Sequence, residues 1–214
     1  MLKFYGRRSS DNVQKALWML VETGEAFEHI ELGGRFGGLD DPDYLKLNPH
    51  GRVPTLLDGD LAVWESNAIV RYLAAKYCSG SLWPEDPASR AVADQWMDWG
   101  QTRLYPAFNK LFWLTVRTPE GEQDRALIAE THERLLGFYR LLEDQLANRH
   151  FLAGDHLTMA DFPSGATLYR FFEMSIKRPA LPNIARWYER IKAREAYQRA
   201  VMVPFDELRG RLAY

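Results

Sequence analysis

The sequence predicts an α/β N-terminal domain with a mixed four-stranded sheet, followed by an all-α C-terminal domain, within 214 residues. Three observations carry this. Strand-like and helix-like apolar patterns alternate up to Tyr77. The stretch SGSLWPEDPA at 79–88 is rich in Ser, Gly and Pro and reads as a linker. Beyond it only long helical periodicities remain. The expected division is therefore 1–78, a linker at 79–88, and 89–214.

The first domain reads element by element. Leu2–Tyr5 is a short strand. Val13, Ala16, Leu17, Leu20 and Val21 recur at helical spacing, and Gly24 stops that helix. Phe27–Leu32 is a second strand, followed by the Gly-rich loop GGRFGG. Val53–Leu57 and Leu61–Trp64 are strands joined across Asp58-Gly59, a strong hairpin signal. Ser66 opens a helix with Ile69, Tyr72 and Leu73 on one face. A strand-helix-strand unit is normally parallel and a hairpin antiparallel, so the sheet should be mixed.

In the second domain, one helical stretch is expected from Ser89 to Leu114, bent at Gly100 and Pro106. A second spans about 121–148. Thr158-Met-Ala-Asp161 matches a capping box in its Asp variant and should start a third, and Pro182–Arg194 forms a fourth.

Composition narrows the function classes. Apolar residues make up 46% and charged residues 26%, which suits a globular chain with a substantial core. A net charge of −2 argues against a chain-wide nucleic-acid footprint. The single cysteine, Cys78, excludes an internal disulfide, a CxxC redox pair and a cysteine zinc site, and suits a reducing compartment. No segment reads as a signal peptide or a bilayer span. The expectation is a cytoplasmic protein without a metal, a nucleic-acid partner or a membrane partner.

Three short segments carry chemistry, and each also reads as ordinary local structure. In Arg7-Arg8-Ser9-Ser10-Asp11-Asn12-Val13-Gln14-Lys15, small polar residues crowd the start of a helix. The same geometry offers free N–H groups, a positive partial charge and a hydroxyl to a bound thiolate. In Asn48-Pro49-His50-Gly51-Arg52-Val53-Pro54, proline at the head of a strand is explained by a cis bond. Val53 would then expose its backbone to a peptide-like ligand. In Trp64-Glu65-Ser66-Asn67, a helix N-terminus with a serine hydroxyl suits a carboxylate, and Glu65 suits an ammonium group.

The order and spacing of Ser10, Val53-Pro54 and Glu65-Ser66 within this frame resemble the cytosolic glutathione S-transferase superfamily. FLAGDHLTMAD at 151–161 extends the likeness to the second domain, so that it covers essentially the whole chain. The overall look is that of the bacterial, serine-type, theta- or phi-like members. The resemblance implies a thioredoxin-like first domain, glutathione as co-substrate, a role in detoxification and a homodimer. It implies that Ser10 donates to the glutathione sulfur, with Asn12, then Ser9, then Tyr5 as alternatives. It further implies that Val53 pairs with the cysteinyl unit with Pro54 cis. Glu65 and Ser66 would hold the γ-glutamyl head, and Arg52 and His50 would lie near the glycine end or the tripeptide backbone. Arg7, Arg8, Lys15 and Arg52 suit an anionic tripeptide. Gln14 and Asn12 depart from the arginine and proline of some serine-type classes.

For a small hydrophobic electrophile, the resemblance points to the second domain's first helices, with Phe108, Phe112, Trp113 and Arg103 as candidates. Core packing is the competing reading for the aromatics. Glutathione conjugation leads. Another glutathione-dependent activity (peroxidase, dehalogenase or isomerase) and a non-catalytic binding or regulatory module are the alternatives.

Overall fold

The computed structural model describes residues 1–213. The first domain runs β1 (Leu2–Tyr5), α1 (Asp11–Glu22), β2 (Phe27–Ile30), α2 (Pro42–Leu47), β3 (Thr55–Asp58), β4 (Leu61–Trp64) and α3 (Ser66–Tyr77). The sheet order is β2-β1-β3-β4. β1 pairs parallel with β2, Leu2 opposite Phe27, and antiparallel with β3, Tyr5 opposite Thr55. The sheet is thus mixed and four-stranded, as the alternation of elements requires.

Several boundaries differ from the sequence reading for identifiable reasons. β3 begins at Thr55 rather than Val53, because Pro54 has no N–H to give to a ladder. β2 ends at Ile30, ahead of the Gly-rich loop. The β3–β4 loop is Gly59-Asp60, and only Gly59 takes a positive φ (60°), the pattern of a type II′ turn. The short helix α2 was not anticipated. Asp41 caps it by accepting from the Asp43 N–H (2.8 Å), and Pro42 opens it.

The second domain comprises α4 (Pro87–Trp99), α5 (Tyr105–Phe112), α6 (Arg125–Gln145), α7 (Asp161–Glu173), α8 (Pro182–Lys192) and α9 (Glu195–Ala200). The expected stretch from Ser89 to Leu114 is two helices joined by a π turn at Gly100–Leu104, and a second π turn, Trp113–Arg117, follows α5. Pro106 sits in the first turn of α5, where a missing N–H is tolerated. Among the described residues, no helix is long and apolar enough to cross a membrane.

Helix α1 lies at the junction of the two domains. Every residue from Val13 to Leu20 is buried, an all-round burial that a helix facing solvent on one side would not show. Helix α3 packs against it from the first domain, and α7 and α9 pack against it from the second. Trp18 is the wedge: its ring lies 4.1 Å from Phe162 and 4.9 Å from Tyr197, centroid to centroid. Gly165 on α7 makes room, since a Cβ there would meet the Trp18 ring at 3.1 Å. At the far end of α1, Glu22 accepts from Trp18 Nε1 (3.0 Å) and from two Arg194 nitrogens (both 2.6 Å).

The capping element before α7 forms with a changed geometry. Asp161 begins the helix, and its carboxylate accepts from the N–H groups of Leu152 (2.9 Å) and Thr158 (3.1 Å) and from Trp187 Nε1 (3.0 Å). The Thr158 hydroxyl accepts from Ala160 instead of Asp161. Burial pushes the Asp161 carboxyl up to about 7, and the three donors pull it back. Asp161→Ala would leave buried donors unpaired and is expected to lower unfolding free energy by about 3 kcal/mol, measured by urea denaturation.

Candidate active site

The site is built where three loops of the first domain converge under the second. The first is the α2–β3 connection. The Asn48 amide donates to the Arg52 carbonyl (2.8 Å) and to Thr55 Oγ1 (3.1 Å), and its oxygen accepts from the His50 N–H (3.1 Å). The Tyr44 hydroxyl also donates to the Arg52 carbonyl and lies 2.9 Å from Thr55 Oγ1. Gly51 (φ 57°) makes the turn, and a Cβ there would meet the Leu39 carbonyl oxygen at 2.8 Å. The loop is therefore held from inside as far as Arg52. The next bond, Val53–Pro54, is cis. Among the described residues, nothing hydrogen-bonds to the backbone of Val53.

The second loop is the β4–α3 junction. β4 ends at Trp64 and α3 begins at Ser66, so one residue makes the whole change of direction. That residue, Glu65, has φ 68° and ψ 116°, the only positive φ at a non-glycine among the described residues. Such a conformation costs about 1–3 kcal/mol and persists only where its surroundings enforce it. Glu65 occupies the N-cap position, where Ser66 was expected. Ser66 is instead the first helical residue, and its hydroxyl is turned to other use.

That use is the third loop, at the start of α1. Ser66 Oγ donates to Asn12 Oδ1 (3.1 Å), and Asn12 Nδ2 makes a long contact to the Tyr105 hydroxyl (3.4 Å). Ser10 caps α1 through its backbone alone: Gln14 N–H donates to its carbonyl (2.8 Å), and its hydroxyl caps no N–H. The Gln14 side chain turns back to the Arg8 carbonyl (2.8 Å).

Asn12, Asn48, His50, Arg52, Val53, Pro54, Trp64, Glu65 and Ser66 together line a cleft of about 220 Å³. His50 packs edge-on against Trp64, ring centroids 5.0 Å apart. The cleft is predominantly polar. It offers the N-terminal N–H groups of α3, the Glu65 carboxylate, the Arg52 guanidinium and the unpaired backbone of Val53 to one ligand.

Seven residues singled out in the sequence meet there: Asn12, His50, Arg52, Val53, Pro54, Glu65 and Ser66. Asn48 and Trp64 were quoted in the motifs but given no role; their signal was adjacency alone. Ser10 does not line the cleft; the nearest residue along the chain that does is Asn12. Ser9 lines a different cleft, of about 500 Å³, with Arg8, Arg35, Phe36, Met202 and Val203. Tyr5 does not line the cleft, and its ring lies 5.9 Å from that of Tyr44. Phe108 and Phe112 are buried in the core of the second domain, which is the packing reading. Trp113 stacks on the Arg117 guanidinium (4.0 Å), and Arg103 is solvent-exposed. Of the four cations named for the anionic ligand, only Arg52 lines the cleft. Arg7 is buried, Arg8 donates to the Arg199 carbonyl, and Lys15 is buried and donates to Gln101 (2.7 Å). Among the described residues, no cluster of His, Cys, Asp and Glu has metal-binding geometry.

This architecture has a family. The model of the glutathione S-transferase N-terminal domain matches residues 1–75, and that of the C-terminal domain matches residues 104–195. The chain belongs to the glutathione S-transferase family. It is 39% identical to glutathione S-transferase GstB of Escherichia coli (strain K12), over 95% of this chain and 99% of that one. It is 37% identical to glutathione S-transferase 3 of Zea mays, over 94% and 93%. Among solved structures, it is similar to the theta-class glutathione S-transferase of Xanthomonas axonopodis pv. citri with glutathione bound. The TM-score is 0.91 at 49% identity, covering 95% of this chain and 98% of that one.

Burial lowers the Lys15 pKa from the usual lysine value to about 7, with Arg71 adding to the effect and Glu65 and Asp11 opposing it. The unfolded chain keeps that proton to about pH 10.5. Between the two values the unfolded state binds more protons, so stability rises with pH across that window. Urea unfolding at pH about 7 and about 9.5 is expected to show this rise, and Lys15→Met is expected to reduce it.

Proposed function

We propose that the protein conjugates the glutathione thiolate to small hydrophobic electrophiles. The observation that carries the reading is the convergence, in one cleft, of an unpaired Val53 backbone, the α3 N-terminus with Ser66, and Glu65. These suit, in turn, the cysteinyl peptide unit, the carboxylate and the ammonium of a γ-glutamyl head. Arg52 and His50 stand at the other side for the glycine end. Family membership supports the same ligand.

In this reading the first turn of α1 lies beside the thiol. The Ser10 hydroxyl donates a hydrogen bond to the sulfur, aided by the N–H groups and partial positive charge of the helix start. Asn12 is the alternative donor. The thiol proton is lost to solvent before attack. The sulfur lone pair then forms the bond to carbon while the leaving group departs with its own electron pair. Holding both reactants together supplies much of the acceleration.

For the electrophile, the cleft beside Ser9 supports a place between the first domain and the segment after α9, with Phe36, Met202 and Val203 as its apolar surface. The homodimer implied by the family is consistent with exposed apolar side chains on both domains, Leu61 on β4 and Val92 on α4. Light scattering is expected to give about twice the 24.8 kDa chain mass. The free Cys78 suits a reducing, cytoplasmic setting.

Two outcomes test the assignments. In ultraviolet titration of bound glutathione, Ser10→Ala is expected to raise the thiol pKa by about one unit, equal to ~1.4 kcal/mol of lost thiolate stabilisation. If Asn12→Ala raises it and Ser10→Ala does not, Asn12 is the activator. Ser66→Ala is expected to raise KM for glutathione about tenfold, with a smaller effect on kcat, in conjugation of a general aryl halide.

A further inference from the structure

Arg170, on α7 of the second domain, is almost fully buried and reaches across to the first domain. Its Nη1 lies 2.6 Å from Asp11 Oδ1, and its Nη2 donates to the Ser9 carbonyl (2.8 Å). One guanidinium therefore grips both chain neighbours of Ser10. The grip is itself held in place: the guanidinium sits over the Phe112 ring, 4.7 Å from its centroid, and 5.8 Å from that of Phe205. Ser10 has β-region backbone angles (φ −95°, ψ 126°), and its side chain makes no cap that would orient it locally. Its Cα–Cβ direction is set by the peptide units on either side; Arg170 holds the preceding one directly, at the Ser9 carbonyl, and the following residue through the Asp11 side chain.

We infer that Arg170 is a positioning residue for thiol activation: the second domain, through the Arg170 grip on Ser9 and Asp11, aims the Ser10 hydroxyl at the glutathione sulfur. The inference rests on the reading of Ser10 as the sulfur's donor. It gives a buried interdomain ion pair a role beyond packing. A planar guanidinium is needed because two acceptors, one on each side of Ser10, must be met at once, which a single ammonium does less well. It also makes activation depend on the docking of the two domains, since the donor and its support lie on opposite sides of their junction. Arg7 and Lys15 are the other cations acting on Asp11, and they are unchanged in the variants below.

The test is the pKa of the bound glutathione thiol, without electrophile, in wild type, Ser10→Ala, Arg170→Lys and the double variant. Arg170→Lys keeps the charge, so a change in through-space field is not the readout. The expected result is a thiol pKa raised by about half a unit in Arg170→Lys. Kd for glutathione should be little changed, and there should be no further rise in the pKa when Arg170→Lys is added to Ser10→Ala. An unshifted pKa in Arg170→Lys overturns the inference, and so does an equal shift in both backgrounds, which would mean that Arg170 does not act through Ser10. A normal pKa in Ser10→Ala defeats the parent reading instead, and the inference falls with it. Should Arg170→Lys fail to fold, Phe112→Leu loosens the surface under the guanidinium and leaves both its bonds available. It is expected to raise the same pKa by a smaller amount only where Ser10 is present, and no rise there overturns the inference.

Discussion

The structure depends on the complete burial of helix α1. An amphipathic helix on the rim of a small sheet would cover one face and leave the other wet. Here the outer face is also apolar, and Trp18 reaches out of the first domain to pack between Phe162 and Tyr197 of the second. A tryptophan ring brings a large apolar area to such a contact, and its loss leaves a cavity that neither domain can close alone. The Glu22–Arg194 pair and the Asp11–Arg170 pair pin the two ends of the same helix. The position of the α1 N-terminus is therefore a property of the domain junction, and so is whatever that N-terminus can do to a ligand.

In the α2–β3 loop, the backbone that faces the cleft is left unpaired while the backbone just before it is paired. The Arg52 carbonyl is held by two donors, and the next residue's backbone is held by none. Glu65 is forced into an unfavourable conformation so that the last residue of β4 and the first of α3 lie one residue apart. Ser66 gives its hydroxyl to Asn12 and thereby connects the helix N-terminus at one side of the cleft with the helix start at the other. Donors fixed in advance need no reorganisation when charge develops on a ligand, and that is their advantage over water.

Much of the fold was legible because local rules and tertiary demands agree. The four strands, their mixed order, and the long helices follow from periodicity and turn residues. Short elements were not legible. α2 and α9 have six residues each, too few for a helical period to declare itself. The site residues His50 to Pro54, Glu65 and Ser66 were legible as motifs whose spacing matches a known frame. The electrophile candidates show the limit. Phe108 and Phe112 share a helix face, and a buried face and a cleft-lining face have the same sequence pattern; here both rings lie in the core. The cleft beside Ser9 is partly lined by residues after α9, near the end of the chain, whose sequence there carries no periodic signal.

The sequence by itself determined the two-domain order, the strand and helix alphabet of the first domain, and the short motifs that line the cleft. Those depend on short-range physics: periodicity, turn stereochemistry, the fixed φ of proline, and the free N–H groups at a helix start. Only the tertiary structure decided which residues of those motifs share a cleft, that Lys15 is buried while Arg52 opens into it, and that Arg170 grips the residues on both sides of Ser10. The reason is physical. Ser9, Asp11 and Arg170 are adjacent only because α1 is buried between two domains, and no local rule in the sequence brings a residue of α7 to the N-terminus of α1.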